Sequence, residues 1–381
     1  MGFVIDQIQR TIIEKNLTPS DVAIANGLSN SFMSRLLSQK TKEHNFGNVI
    51  LIINWLFPNL DTRKELIFDY YKKITKPENI RAAYEWLWMN WERDELRSLI
   101  SMRKKSRDYR DLEFNEIYSL LLERSEIKSE NELERKRELS RLLNKAGMIK
   151  EKSKQESVKC LCTIFQMNVY GDLNEYDMVE KLYDTIDVNK LGKKEKYLKY
   201  SFKVRLNELL SQRYWKQNNL NEARKVTIEL IQNVENKYML ASAYHRLGMT
   251  YCFVNRETSV NYVKKSIEIF RSINRNMIAD LIEKKNIPFI YSVWGETYTQ
   301  TDDKMELAHN YISCGNPKIG LELIKDFDNN DPFICFYKGK ATKNVNLLKK
   351  SYEIFTKEWH DHFYAQLPLK ELEVLKEAIP C

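Results

Sequence analysis

Short polar and basic side chains are concentrated between residues 29 and 42 of the 381-residue chain. Serine and asparagine side chains can hydrogen-bond phosphates and base edges, and an arginine fork can grip guanine. If one exposed helix face carried these side chains, that face would suit a DNA duplex. The residues concerned are Ser29, Asn30, Ser31, Ser34, Arg35, Gln39, Lys40 and Lys42.

A second group of chemically capable side chains is the tripeptide His360-Asp361-His362. Imidazole and carboxylate groups are common metal ligands. Residues i and i+2, however, lie on opposite sides of a helix and cannot both face one ion. Cys160 and Cys162 have the same spacing and the same difficulty. We therefore predict no metal site and no other cofactor.

The sequence lacks the short motifs that mark many enzymes. It contains no Walker loop, no G-x-G-x-x-G, no H-E-x-x-H and no G-x-S-x-G. Its 6 cysteines form no C-x-x-C pair, which favours reduced, buried thiols over a disulfide framework. These observations favour a binding protein over an enzyme.

The segment around residues 18–38 has the pattern of a helix-turn-helix. Thr18-Pro19 supplies a cap and a favourable first residue for a short helix. Gly27 can take the positive φ that ends this helix. Ser29 or Asn30 can then cap a second helix over residues 31–38. The alternative is an ordinary helical hairpin without a DNA-binding role.

Three further helices complete the predicted head, residues 1–76. The first covers residues 3–15, with Phe3, Ile5, Ile8, Ile12 and Ile13 as its apolar face. The second is a nearly all-apolar helix over residues 46–56, and the third follows a cap at Asp61. The head carries ten Lys or Arg residues against seven Asp or Glu. This small excess is a weakness of the DNA-binding hypothesis. Two copies in a dimer would repair it, because phosphate contacts add across half-sites.

The predicted body, residues 77–381, is a run of helical repeats. No proline occurs between Pro77 and Pro288, which favours helices over sheets. Tyr244-x2-Leu247-Gly248-x2-Tyr251 matches the first helix of a tetratricopeptide repeat, and Leu307-Ala308-x2-Tyr311 repeats its shape. We predict an all-α fold: a helix-turn-helix head followed by a tetratricopeptide-like solenoid. An irregular helical bundle is the alternative.

Two smaller features of the body also carry predictions. The pattern predicts a single helix over 85–99 with three tryptophans, and a break at Asn144–Gly147. Near the end of the chain, the segment 365–381 stays apolar, although an uncovered terminal repeat should be polar. We predict a dimer interface there, with a fold-back cap on the same chain as the alternative. The leucines concerned are Leu367, Leu369, Leu372 and Leu375.

Several stretches resemble one family of peptide-sensing regulators. They are Val22-Ala23-x3-Gly27-Leu28, the turn 218–222, Leu247-Gly248, Val293-Trp294 and Asp361-x-Phe363-x3-Leu367-Pro368-Leu369. Together they resemble the arbitrium receptor (AimR) family of Bacillus temperate phages over essentially the full length. The resemblance implies a dimeric DNA-binding transcriptional activator that promotes lysis. A short peptide bound by the repeats would stop the activation and favour lysogeny.

The resemblance also implies a peptide pocket. Asp361 stands where the family pairs an aspartate with an arginine of the peptide. Gln212, Lys216 and Met249 stand where the family has asparagines, and Tyr238 replaces an arginine. Asn207 is placed in the same pocket. These departures imply a peptide of different sequence.

The competing hypothesis is a repeat protein that acts only on other proteins, such as a response-regulator antagonist. Such relatives generally lack the recognition-helix pattern, so Gly27 with Asn30 and Arg35 favours the DNA-binding alternative. The sequence shows no targeting segment and no run of about 18 apolar residues. We therefore expect no membrane association and a location in the cytoplasm of a bacterial host.

Overall fold

The computed structural model describes residues 1–377 except 107, 129 and 130. Every regular element within this range is a helix, so the predicted all-α fold is confirmed. The last residues of the predicted dimer segment, 378–381, lie outside the described range. None of the described helices is long and apolar enough to cross a bilayer.

Twenty-one α-helices follow one another along the described chain. In chain order they are α1 (Gly2–Glu14), α2 (Pro19–Ala25), α3 (Asn30–Leu37), α4 (Phe46–Leu56), α5 (Leu60–Tyr71), α6 (Pro77–Met89), α7 (Arg93–Arg103), α8 (Tyr109–Glu126), α9 (Glu132–Lys152), α10 (Glu156–Asp172), α11 (Tyr176–Tyr183), α12 (Lys196–Lys216), α13 (Leu220–Asn233), α14 (Lys237–Met249), α15 (Arg256–Ser272), α16 (Asn276–Val293), α17 (Lys304–Ser313), α18 (Pro317–Leu323), α19 (Pro332–Thr342), α20 (Val345–Glu353) and α21 (Gln366–Glu377). Two 3-10 turns (Val188–Lys190 and Lys193–Glu195) and one π-helical turn (Ile354–Glu358) complete the order.

The chain forms two compact units. Unit 1 contains residues 1–165 and 186–203, and unit 2 contains residues 166–185 and 204–381. The predicted head, 1–76, is therefore part of a larger unit that includes the helices following it. The predicted repeats of the body, from residue 204 onwards, belong to unit 2.

The first helix of the head buries a narrower face than the sequence predicts. Val4, Ile5 and Ile8 are buried, whereas Phe3 and Ile13 are 56% and 74% exposed. Val4 and Ile8 are one helical turn apart, so they lie on the same side of α1. The prediction that Phe3 and Ile13 belong to the core is therefore wrong.

The predicted helix-turn-helix is present as α2, a glycine turn and α3. Thr18 and Asp21 form a capping box, in which the Asp21 amide donates to the Thr18 hydroxyl over 3.2 Å. Gly27 has φ +61°, and the Leu28 amide donates to the Ala23 carbonyl over 2.8 Å. The bond from the Leu28 amide satisfies a free carbonyl at the end of α2.

The tryptophan-rich segment forms two helices, α6 and α7, instead of the single helix predicted. Trp91 lies between the two helices and has φ +61°, so the chain changes direction at this residue. The Arg93 guanidinium lies 3.6 Å from the centre of the Trp88 ring and 4.3 Å from that of Trp91. This stacking stabilises the turn between α6 and α7. The spacing of apolar residues gives no sign of this turn. The predicted break near Gly147 is also wrong, because α9 continues through it.

The helix pairs of unit 2 pack closely at small residues. A Cβ atom on Gly248 of α14 would lie 2.7 Å from Val263 Cγ2 and 2.9 Å from the Ser259 carbonyl of α15. Gly320 of α18 meets α17 in the same way. The predicted repeat signature therefore has its expected physical basis, a small residue where two helices cross.

We expect Gly248→Ala to lower the free energy of unfolding of the protein by about 1–3 kcal/mol, because the added methyl group overpacks the crossing. Gly171→Ala is the matched control, since no atom lies within 4 Å of the added methyl group. Its helix propensity should raise stability by up to about 1 kcal/mol. Urea denaturation followed by circular dichroism measures both. Equal stabilities for the two variants would contradict the close approach.

Candidate functional site

The polar face predicted for DNA contact is exposed. All eight predicted residues between 29 and 42 are exposed, while Met33 and Leu36 turn the other side of α3 into the core. The amphipathic pattern of α3 therefore orients its polar side chains outward. This arrangement can accept a polar, negatively charged partner.

Two of these residues have a structural task. The Ser29 hydroxyl accepts the Phe32 amide over 3.2 Å and so caps α3, which decides between the two predicted caps. Gln39 has φ +52°, and its side-chain amide donates to Asp6 Oδ1 over 2.6 Å. Ser29 and Gln39 thus hold α3 in place. Asn30, Ser34 and Arg35 project from its outer side.

Asp361, the predicted partner of a peptide arginine, is 2% exposed and already paired. Its Oδ2 forms an ion pair with Lys216 Nζ. Its Oδ1 accepts the Tyr364 amide over 3.1 Å. The structure therefore brings together two of the predicted peptide-binding residues, Asp361 and Lys216, as an internal ion pair.

An irregular segment positions Asp361 against the end of α12. The π-helical turn Ile354–Glu358 is followed by His360, which has φ +48°. The Asp361 amide then donates to the Phe355 carbonyl over 2.7 Å, and the His362 amide donates to the Lys216 carbonyl over 2.8 Å. The residues on either side of Asp361 hold it in place: His360 has a positive φ, and the His362 amide is hydrogen-bonded to α12.

Aromatic rings surround this ion pair. Lys216 Nζ lies 4.9 Å from the Trp215 ring centre and 5.3 Å from that of Tyr364. Such contacts favour a cation at this position. Phe363 packs against Trp215 with ring centres 5.5 Å apart. The site combines a buried carboxylate with aromatic walls, an arrangement that can recognise a cationic side chain.

The other predicted peptide-binding residues are dispersed. Asn207 and Gln212 lie half-buried on α12, the helix that ends at Lys216. Tyr238 of α14 packs edge-on against Phe270, with ring centres 5.4 Å apart. Met249 is fully buried in the core of unit 2, so its assignment as a peptide contact needs correction.

Two buried arginines near these residues were missed by sequence reasoning. Arg246 donates to the Ser211 hydroxyl over 2.5 Å and lies 3.7 Å from Glu208. Arg213, also buried, pairs with Glu180, and its Nε and Nη1 have no hydrogen-bond partner among the described residues. One sequence feature could have indicated Arg246: it is a charged residue directly before the Leu247-Gly248 signature. The two unpaired nitrogens of Arg213 give unit 2 unused capacity for a carboxylate.

One family profile, described as AimR transcriptional regulator-like, matches residues 63–374. The chain belongs to the AimR transcriptional regulator-like family. The matched range begins inside α5, so the helix-turn-helix lies before it. The resemblance inferred from the sequence is confirmed.

Individual AimR relatives are distant in sequence. The AimR transcriptional regulator of Bacillus phage phi3T is 23% identical over an alignment of 362 positions that covers 90% of this chain and 90% of that protein. The solved structure described as SeMet-phAimR has a TM-score of 0.75 at 20% identity and covers 98% of this chain and 99% of that one. The structure described as phAimR-Ligand has a TM-score of 0.68 at 22% identity, with coverages of 88% and 98%. The AimR-like family consists of transcriptional regulators, as predicted, and not of enzymes.

The C-terminal leucines of this AimR-like chain pack on their own unit. Leu367 is 6% exposed within the core, and Leu372 and Leu375 pack partly buried against the same core. Leu367 is thus unavailable to a second copy in this conformation, because its own chain covers it. Leu369 is half-buried, and Val374 is 58% exposed.

The closely spaced histidines and cysteines of the sequence are candidate metal ligands by residue type. Among the residues that the structure describes, no cluster of three His, Cys, Asp or Glu side chains could hold an ion. Cys160 and Cys162 are buried free thiols, as predicted. Burial raises the pKa of Cys160 to about 11 and that of Cys162 to about 12, so both thiols stay protonated at neutral pH.

We expect Lys216→Met to lower the free energy of unfolding by about 2–4 kcal/mol, because it leaves the Asp361 carboxylate buried without its cation. The double variant Asp361→Asn/Lys216→Met removes the unpaired charge and should recover much of this loss. Asparagine keeps an oxygen that can accept the Tyr364 amide. Urea denaturation of the parent, both single variants and the double variant gives the coupling. If the stability losses of the two single variants add up to the loss of the double variant, the ion pair contributes nothing.

Proposed function

We propose that the chain is a peptide-responsive, DNA-binding transcriptional regulator of a phage lysis-lysogeny decision. A short arginine-containing peptide, bound in the repeat domain, would switch off its DNA binding or activation. The observation that carries this proposal is the exposed polar face of α3, set on a glycine turn in a member of a family of transcriptional regulators.

The expected DNA partner is a double-stranded operator. In a helix-turn-helix, the second helix enters the major groove with its N-terminal residues near the base edges. Asn30 and Ser31 begin α3, and Arg35 lies one turn later on the same outer side. A homodimer would present two such helices to two half-sites. This would offset the modest positive charge of a single head.

Arg35→Ala should weaken binding to the cognate operator by about 1–3 kcal/mol, because a bidentate contact to guanine is lost. Arg10→Ala is the matched control, since Arg10 is an exposed arginine on α1. A gel-shift titration of both variants measures the difference. Equal affinities would remove Arg35 from base readout. If the parent protein retards no duplex at all, the hypothesis of a protein that acts only on other proteins gains support.

The proposed peptide site centres on Asp361. Lys216 neutralises this carboxylate, so a peptide guanidinium would have to displace the Lys216 amine. Lys216 can leave, because its side chain is 22% exposed and can reach water. The guanidinium fork is a stronger partner for a carboxylate than a lysine amine. The exchange would alter the contacts at the end of α12, and we expect the switch to start there.

Peptide binding should respond in opposite directions to changes in the two partners. Asp361→Asn should abolish tight binding of an arginine-containing hexapeptide, because about 2–5 kcal/mol of charge-assisted interaction is lost. Lys216→Met should strengthen binding, since the competing amine is gone. Isothermal titration with hexapeptides encoded by the neighbouring reading frame measures both variants. A peptide with lysine in place of arginine is the control, and should bind more weakly to the parent.

Parent-like peptide affinity in the Asp361 variant would show that the arginine pocket has been misplaced. The peptide must also affect DNA binding reciprocally. If the peptide weakens operator binding by some factor, the operator must weaken peptide binding by the same factor. Calorimetry with and without operator DNA measures this factor. Because this equality is a thermodynamic necessity, unequal factors would mean that one of the titrations had not reached equilibrium. A factor of one would show that the peptide does not control operator binding.

The homodimer remains a prediction, with Val374 as its most accessible apolar residue on α21. Val374→Glu should convert the dimer to a monomer, because a charge would be buried in the interface. Met277→Glu is the control, since Met277 of α16 is an 88% exposed apolar residue in the same unit. Light scattering gives the mass of each. A dimeric Val374 variant would exclude α21 as the interface.

A further inference from the structure

The basic run Arg103-Lys104-Lys105 has no part in the function proposed above. It lies at the C-terminal end of α7, in the same unit as the helix-turn-helix. The Arg103 guanidinium donates to the carbonyl oxygen of Ile74 over 3.1 Å. This bond fixes the end of α7 against the turn between α5 and α6.

The loop that follows α3 holds the same turn from another side. The Thr75 amide belongs to the same peptide group as the Ile74 carbonyl, and it donates to the Glu43 carboxylate over 2.9 Å. The Arg103 guanidinium and the Glu43 carboxylate are therefore within roughly 8 Å of each other, because one peptide group separates them. The end of α7 is thus a near neighbour of the loop that leaves the recognition helix.

Glu43 holds the loop after α3 against the turn between α5 and α6 through several hydrogen bonds. Its side chain is buried and also accepts the Lys76 amide over 3.0 Å and the Asn79 side-chain amide over 2.7 Å. Burial alone would raise the pKa of Glu43, but the hydrogen bonds from Asn79, Thr75 and Lys76 outweigh it and hold the pKa below its usual value. Glu43 stays ionised at neutral pH, so the turn and the loop remain joined.

Exposed basic residues occur in each of the segments that meet at this turn: α3, the loop after it, the turn itself and the end of α7. The Lys76 amine donates to the Glu43 carbonyl over 3.1 Å, directly before His44 in sequence. Burial lowers the pKa of His44, and the charges of Lys76 and Arg35 lower it further. Asp69 and Asp108, two carboxylates in neighbouring segments, already pair with Lys73 and Arg110. We call the following exposed residues the basic strip: Arg35, Lys40, Lys42, Lys76 and Lys105.

Two members of the original run do not belong to the basic strip. Lys104 lines a separate open groove of about 670 Å³ with Glu113 and Glu116. Arg103 is half-buried and holds the Ile74 carbonyl, so it acts as an anchor. Beyond the head, Lys105 is therefore the charge of this run that remains available to a ligand.

We propose that Lys76 and Lys105 bind phosphates of the DNA duplex beside the groove entered by α3. This inference rests on the DNA binding proposed above and extends the contact surface from the helix-turn-helix to the end of α7. Lysine contacts to phosphate fix the register of a protein on DNA and add affinity without reading sequence. The two lysines would therefore supply part of the attraction that the modest charge of the head lacks.

The test uses the full chain and a fluorescein-labelled duplex of mixed sequence, since phosphate contacts need no operator. Anisotropy titrations at several salt concentrations give the slope of log affinity against log salt. Lys76→Ala/Lys105→Ala should reduce the slope by about 0.9 per lost contact, or about 1.8 for each bound protomer. At about 0.1 M salt the affinity should fall roughly tenfold or more.

Lys136→Ala/Lys154→Ala is the matched control, because it removes two exposed lysines elsewhere in unit 1. Its slope should equal that of the parent, and Lys76→Arg/Lys105→Arg should also keep the parent slope. Lys105→Ala alone serves if the double variant does not fold, since the Lys76 amine donates to the Glu43 carbonyl over 3.1 Å. A loss of about 0.9 in its slope would support the inference.

The outcomes separate this inference from the proposed function. If the parent binds the duplex and Arg35→Ala weakens operator binding, but the alanine pair keeps the parent slope, the inference is overturned and DNA binding stands. The inference is equally overturned if the control pair loses as much slope as the alanine pair, because only net charge then matters. If the parent binds no duplex even at the lowest salt, the proposed DNA binding fails and the inference with it.

Discussion

Paired helices of unit 2 can pack backbone to backbone only where one of them lacks a side chain at the crossing. Gly248 and Gly320 meet this constraint, since an added Cβ would lie 2.7 Å from Val263 and 2.5 Å from Ile312. The crossings set the position of the helices that enclose the core. Phe363 and Leu367 belong to that same core, so the placement of Asp361, two residues before Phe363, depends on it. The candidate site is therefore a consequence of packing as well as of charge.

Local signals made much of the fold predictable. The Thr18 cap, the Gly27 turn and the apolar run from Phe46 to Leu56 each specify a helix boundary through residues next to it in sequence. The repeat signature at Gly248 worked because steric exclusion at a crossing leaves few residue choices. A helix boundary that depends only on residues next to it can be predicted from the sequence.

Features that depend on distant partners could not be predicted. Trp91 adopts a left-handed conformation beside a stacked arginine, and periodicity carries no trace of that contact. The resemblance placed Asp361 and Lys216 in one pocket, but it did not show that they pair with each other across 145 positions of sequence. Leu367 looked like an interface residue because its covering helices come from elsewhere in the chain. The assignment of these residues to a peptide pocket stays a prediction, and their internal ion pair could not be predicted from the sequence.

The division of unit 1 between two stretches of chain has a consequence for biosynthesis. Buried Arg81 pairs with Glu195 over 3.3 Å, and Ser201 donates to buried Glu85 over 2.6 Å. A nascent chain that ends at residue 165 lacks both of these later residues. At about 5–20 residues per second, the ribosome needs a few more seconds to supply them. During that interval the N-terminal part of unit 1 has left the ribosome with an unfinished core, and a chaperone that shields it would favour correct closure.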